Sequence, residues 1–419
     1  MNTMHFVKVM ASFLMAIFAS INAVAEQNDP ASIRFSGIPA LAYGADSGFG
    51  FGVIGNMYAD QKDYNPYKIS LGLKFFMTTK GINSHQISLD QVRAFGLPLR
   101  LTSRLGFYST ISQDYCGKAS DATCNEERAN LEAAKLNLSD EEQKKFVGLY
   151  YKNRFMSIFG DVFGRYLLWK DEAKLELMTS YRGRYYMNRG FKEPGPYKGS
   201  LFDHDYKNFK TDGYLSTLEL GLMLDKRDIE SSPTQGYWLE SSVRGASWLF
   251  GSSWDYFGAN AAARFYIPLD EKRRLVIASQ TIGDVIIGDL PYDAVSRIGG
   301  SQSFIDYTAI GGSSIGRGIR EQRYVGKIKA IEQLEFRYLF YSFELFKQNF
   351  DLTAATMGDL AMTAWDFARF KKDMQQAYIG FGGGLRISWN KTFVIRADMG
   401  VSPHENFSPR IYLVVGNVF

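Results

Sequence analysis

Arg317 lies inside Ile310 to Gly326, IGGSSIGRGIREQRYVG, a stretch with five glycines and two serines. Glycine reaches backbone conformations closed to other residues, so this run predicts a shaped loop rather than a strand. A guanidinium held between Gly316 and Gly318 is always charged and presents a rigid fork of donors. Its chemistry is docking onto carboxylates, not bond making. Glu335 is the candidate acceptor. From Lys329 to Leu339 the odd positions carry Lys329, Gln333, Glu335 and Arg337, while the even ones carry Ala330, Leu334, Phe336 and Tyr338. That is period two, with one wet and one apolar face. If the wet face lines a lumen, Arg317 can fold inward and meet Glu335, because a buried arginine needs a carboxylate partner.

Other reactive residues point away from catalysis. Cys116 and Cys124 are the two cysteines of the chain and share one polar loop. In an oxidising compartment they read as a disulfide, with two free thiols as the alternative; no His or Cys lies nearby to complete a zinc site. His204 sits between Asp203 and Asp205, but consecutive side chains diverge, so a solvated loop is expected and no metal site. No nucleophile, base and oxyanion arrangement can be read, so neither an enzyme nor a cofactor is expected. A net charge of +4 over 419 residues argues neither for nucleic acid nor for an acidic substrate, and no nucleic-acid partner is expected.

The elements that would position Arg317 and Glu335 are strands. Residues 1–25 resemble a secretory signal peptide, with Lys8, an apolar run from Val9 to Ile21 and the cleavage site Ala23-Val24-Ala25. Residues 26–34 are then a short periplasmic segment. No later run of about eighteen apolar residues occurs, yet the chain has 25 Tyr, 32 Phe and 40 Gly. A transmembrane barrel hides its apolar residues at alternate positions, so a mean hydropathy of -0.19 is no objection. Leu218, Leu220, Leu222 and Leu224 alternate with Glu219, Asp225 and Arg227, and similar segments recur from residue 35 to 419. The expected fold is all-β, a transmembrane antiparallel barrel of about sixteen strands. Short turns alternate with long outer loops near 110–152, 188–213 and 288–327. The last strand ends on Phe419, like the assembly signal of outer-membrane barrels.

Several motifs together resemble the bacterial surface-antigen superfamily, whose members include the Bam and Tam assembly barrels and the two-partner secretion transporters. Asp225, Arg227 and Asp228, followed by Pro233 and Gly236, resemble its D-x-R-D…P-x-x-G turn. Gly316-Arg317-Gly318 resembles its loop-six V-R-G-F/Y signature, Glu335-Phe336-Arg337 its E-[LF]-R strand, and Ala42-Tyr43-Gly44 with Ser47-Gly48 its opening strand pair. The resemblance implies a sixth outer loop folded inward, with Arg317 docked on acids of strands twelve and thirteen. The family's F-x-D-x-G strand falls on Ala354 to Gly358, which puts Thr356 at the acidic position. Asp359 has the opposite parity and is not expected to replace it, so the lock would rest mainly on Glu335. The short front leaves no room for a POTRA domain, which implies a barrel-only member.

The resemblance implies insertion or translocation of proteins or lipids at the bacterial outer membrane, through a seam between the first and last strands. Its partners would be outer-membrane lipid, the general barrel-assembly machinery and a separate periplasmic protein. A plug-gated pore and a structural or surface-interaction barrel remain as alternatives.

Overall fold

A computed structural model describes residues 32–44, 47–62, 64, 66–189, 199–301, 309–345, 348–390 and 393–419. The signal-peptide reading of 1–25 lies outside these residues. Sixteen strands follow one another in the order of the chain: β1 Ser32–Gly44, β2 Gly48–Asp60, β3 Ile69–Thr78, β4 Ile82–Gln91, β5 Leu99–Asp114, β6 Lys152–Lys170, β7 Lys174–Arg189 and β8 Gly213–Asp225. The second half continues with β9 Gly236–Ala246, β10 Tyr256–Pro268, β11 Leu275–Gly288, β12 Ile328–Leu345, β13 Gln348–Ala364, β14 Tyr378–Trp389, β15 Phe393–Val401 and β16 Arg410–Val415. Each pairs antiparallel with the next, and β16 returns to β1 to close the barrel.

Alternation decides which way the side chains face. On β8, Leu218, Leu220 and Leu222 are exposed on the outside while Glu219 and Asp225 are buried inside. On β12, Gln333, Glu335 and Arg337 point in and Leu334, Phe336 and Tyr338 point out. A one-residue slip would exchange the two faces, so the polar interior itself fixes the register.

Two boundaries differ from expectation. The first strand begins at Ser32 rather than Phe35, so part of the expected 26–34 segment is barrel wall. The last strand stops at Val415. Gly416 takes a φ of 95°, and Val418 and Phe419 turn inside to pack on Tyr266, Val276 and Ala278. Phe419 is therefore a buried residue of the interior, not the outward end of a strand.

The long connections share one end of the barrel. Between β5 and β6, helices α1 (Glu126–Ala134) and α2 (Asp140–Leu149) are started by local capping. Asn125 accepts from the Glu127 amide, and Ser139 with Glu142 forms a capping box. Tyr115, Phe202, Tyr206 and Tyr292 pack across three loops, Tyr115 edge to face on Tyr292 with centroids 4.9 Å apart and Phe202 stacked on Tyr206. These buried rings give the loops a core of their own.

The outward face predicts a cost for charge. Leu220→Arg should destabilise the barrel in lipid vesicles by about 2–4 kcal/mol if the site is at mid-bilayer depth. Denaturant unfolding of the refolded variant measures it.

Candidate functional site: the Arg317 charge cluster

The described residues of the β11–β12 connection, 289–301 and 309–327, are folded down into the lumen. Arg317 at its tip is fully buried. Its Nε and Nη2 donate to the two oxygens of Asp359 at 3.0 and 2.7 Å, and its backbone amide donates to Asp359 Oδ2 at 2.8 Å. Nη1 donates to Glu335 Oε1 at 2.5 Å and lies 3.6 Å from Asp398 Oδ2. Glu335 also accepts from Arg337 Nε at 2.8 Å and Arg386 Nη2 at 2.6 Å. Arg396 pairs with Asp398 and donates to the Ser313 carbonyl at 2.7 Å. Strands β12, β13, β14 and β15 thus all contribute to one buried cluster.

Asp359 overturns the expectation placed on Thr356. Thr356 faces outward from β13, whereas Asp359 is buried on the lumen side beside Met357 and Ala361. Gly358 is not the small residue of the motif. The pattern runs Met357-Gly358-Asp359-Leu360-Ala361, three residues further on, with Ala361 in the glycine's place. Frame and parity moved together, and the acid is present at the lumen-facing position.

Glycines make the close approach possible. Gly316 and Gly318 have φ of 66° and 100°, and a Cβ on Gly318 would stand 2.5 Å from the Val401 carbonyl carbon. On the wall, Gly380 of β14 and Gly400 of β15 lie directly against the Arg317 backbone; a side chain at either would collide with it. Apolar contacts complete the seat, with Ile310, Ile315 and Ile319 packed against Ile282, Ile331 and Ala361. Tyr324 stacks on Tyr378 at 3.7 Å.

A second anchor holds the near end of the same loop. The Gly299 amide donates to Asp284 Oδ1 at 3.0 Å, the Gly300 amide to Glu219 Oε1 at 2.6 Å, and Ser301 Oγ to Glu240 Oε2 at 2.5 Å. The Gly318 amide meets Tyr412 Oη at 3.3 Å. Glu219 on β8 and Tyr412 on β16 are on opposite sides of the barrel, so the loop crosses the lumen. Sequence reasoning missed Gly299 to Ser301, Gly380, Gly400 and Arg386. The alternation of β8 marks Glu219 as inward, but nothing local pairs it with a loop.

The remaining motif residues stand elsewhere. Asp225 binds Arg227 through both oxygens, at 2.9 and 2.7 Å, and Trp238 lies between the guanidinium groups of Arg227 and Arg264, 4.1 and 3.8 Å from its ring centroid. Asp228 accepts from the amides of Ile229, Thr234 and Gln235, Pro233 is buried, and Gly236 has a φ of 109°. These residues shape the short β8–β9 turn. Cys116 and Cys124 are disulfide-bonded, and Cys116 packs against the loop-six isoleucines. The Ala119 amide donates to the Val325 carbonyl at 2.9 Å.

The Omp85 superfamily domain matches residues 62–419. The chain belongs to the Omp85 superfamily. Among solved structures it is similar to BamA from Haemophilus ducreyi lacking POTRA domains 1-3, with 16% identity, a TM-score of 0.54, and 93% of this chain and 70% of that one covered. It is also similar to CdiB from Escherichia coli, with 10% identity, a TM-score of 0.59, and 95% and 69% covered. At these identities the likeness is one of fold. No curated protein matches the chain.

Removing one partner of a buried charge leaves the other unpaired, at about 3–5 kcal/mol. Asp359→Ala should therefore lower the denaturant midpoint strongly, while Thr356→Ala should stay within about 0.5 kcal/mol of the parent. A second test concerns Asp228, outside the strands. Burial raises its pKa, but the Thr234 hydroxyl and three amides outweigh that and hold it below the usual carboxylate range. A depressed carboxylate stabilises the fold above the unfolded value, about pH 3.9, and that contribution fades as pH falls through the folded value. The stability gap between parent and Asp228→Asn should close on acidification below about pH 4, measured by unfolding at a series of pH values.

Proposed function

We propose that the chain spans the bacterial outer membrane, with its short turns toward the periplasm, and assists insertion or translocation of proteins there. The observation that carries the reading is the seam. All 13 residues of β1 pair with β2, but β1 meets β16 only at Tyr43–Leu413 and Gly44–Tyr412. The β1 edge from Ser32 to Ala42 has no ladder partner on that side among the described residues, and Phe35 beside it is 74% exposed. Unpaired backbone groups in hydrocarbon cost several kcal/mol each, so this edge is a template for an incoming strand. The inward turn at Gly416 keeps residues 416–419 from extending that ladder along β1.

Outer-membrane lipid covers the apolar outside, and the general barrel-assembly machinery inserts the chain, reading Phe419 before the tail turns in. Delivery of a client to the seam falls to a separate periplasmic partner. The loop lying across the lumen also supports a second reading, a pore plugged by residues 289–327 and fastened by Arg317, with Gly316 and Gly318 giving the bend.

Tying the seam shut tests the first reading. In proteoliposomes the parent should speed the folding of an unfolded eight-stranded barrel, and oxidised Tyr43→Cys/Leu413→Cys should lose this and regain it on reduction. Equal activity of the oxidised and reduced forms contradicts it. For the pore, Arg317→Ala should raise single-channel conductance over a quiet parent; unchanged silence removes that reading.

A further inference from the structure

The short-turn end of the lumen holds a cavity of about 350 Å³, within the range of ligand sites. Its wall carries Lys272, Arg273, Arg274, Arg337 and Arg386 against Asp228 and Asp351. Five cations face two carboxylates in the wall and a third, Glu335, which Arg337 and Arg386 share, so the excess is two positive charges. Both wall carboxylates are already engaged, Asp228 by its turn and by Arg273 Nη1 at 3.5 Å and Asp351 by Ser342 Oγ at 2.6 Å.

The cations form a graded path inward. Lys272 and Arg273 are exposed on the β10–β11 turn. Arg274 spends Nε and Nη2 on the Leu339 and Phe340 carbonyls. Arg386 is 3% exposed, and only its Nη2 is used, on Glu335. Its Nε and Nη1 have no hydrogen-bond partner among the described residues.

The same wall already grips polypeptide. Arg337 Nη2 donates to the Phe419 carbonyl at 3.0 Å and its guanidinium lies 5.2 Å from the Phe419 ring centroid. Asn417, which lines the cavity, donates to the Ser231 carbonyl at 3.0 Å. Main-chain oxygens and an aromatic ring are thus bound side by side next to the unfilled volume.

We propose that this cavity binds an acidic, extended peptide segment entering from the short-turn end, with a side-chain carboxylate placed among Arg273, Arg274 and Arg386. The positive excess selects an anion, and guanidinium groups match a carboxylate fork. The two carboxylates in the wall disfavour a doubly charged phosphate. Neutral or basic segments gain nothing there. The proposal deepens the insertion reading only in naming what the short-turn end receives; the binding itself needs neither an open seam nor a folding client.

The test is isothermal titration of the folded full chain in detergent micelles with the acetylated, amidated peptide Ala-Glu-Phe-Glu-Ala. The peptide should bind, its glutamine counterpart at least tenfold more weakly, and added salt should weaken it further. Lys272→Gln/Arg273→Gln, on an exposed turn, should keep the parent's circular dichroism and lose at least tenfold in affinity. Acetate should compete better than inorganic phosphate. Equal binding of the two peptides, an unchanged affinity in the variant, or stronger competition by phosphate would each overturn the assignment. Binding with no client folding in proteoliposomes would retire the insertion reading and leave the site standing.

Discussion

A permanently charged guanidinium in the middle of a barrel cannot be left unpaired, and most of the interior is arranged around that constraint. Arg317 is fully buried, so it requires carboxylates at fixed heights on the wall. Asp359 and Glu335 supply them from neighbouring strands, Arg337 and Arg386 pair with Glu335 in turn, and Arg396 pairs with Asp398, so the acids do not form a buried negative cluster. The loop then needs room for its backbone, which Gly380 and Gly400 provide. One charge on a loop thereby ties together β12 to β15, while Gly299 to Ser301 fasten the near end of the same loop.

Much of this was legible because a barrel writes its fold in period two. The alternation on β8 and β12 placed Glu219, Asp225, Glu335 and Arg337 on the wet side, and the glycine run around Arg317 marked a loop that must bend sharply. What stayed hidden depends on three-dimensional proximity or on register. Asp359 was passed over because Gly358 drew the motif frame onto the outward face, and parity is worth more than a single glycine when choosing a frame. Gly299 to Ser301 carry no signal of their own; they matter only because three acids from β8, β9 and β11 converge on them.

The tail shows the same limit. Ile411, Leu413 and Val415 continue the strand pattern, and nothing local says that it stops before Phe419. Gly416 permits the turn, and the pull comes from Arg337, Tyr266, Val276 and Ala278 on the far wall. That turn has two consequences on opposite faces. Outside, it keeps residues 416–419 out of the β1–β16 ladder, which has two positions; inside, it brings peptide against a basic cavity. The seam and the short-turn mouth are therefore linked by four residues of chain, while the Arg317 cluster holds the lumen above them.

The most direct test of this account is hydrogen exchange, read by mass spectrometry, over peptides covering residues 309–326 in the parent and in Asp359→Asn. A loop fastened inside the lumen predicts slow exchange in the parent and a rise of at least tenfold in the variant, with β8 to β11 unchanged. Exchange over 309–326 that is already as fast in the parent as in an unstructured peptide would contradict it.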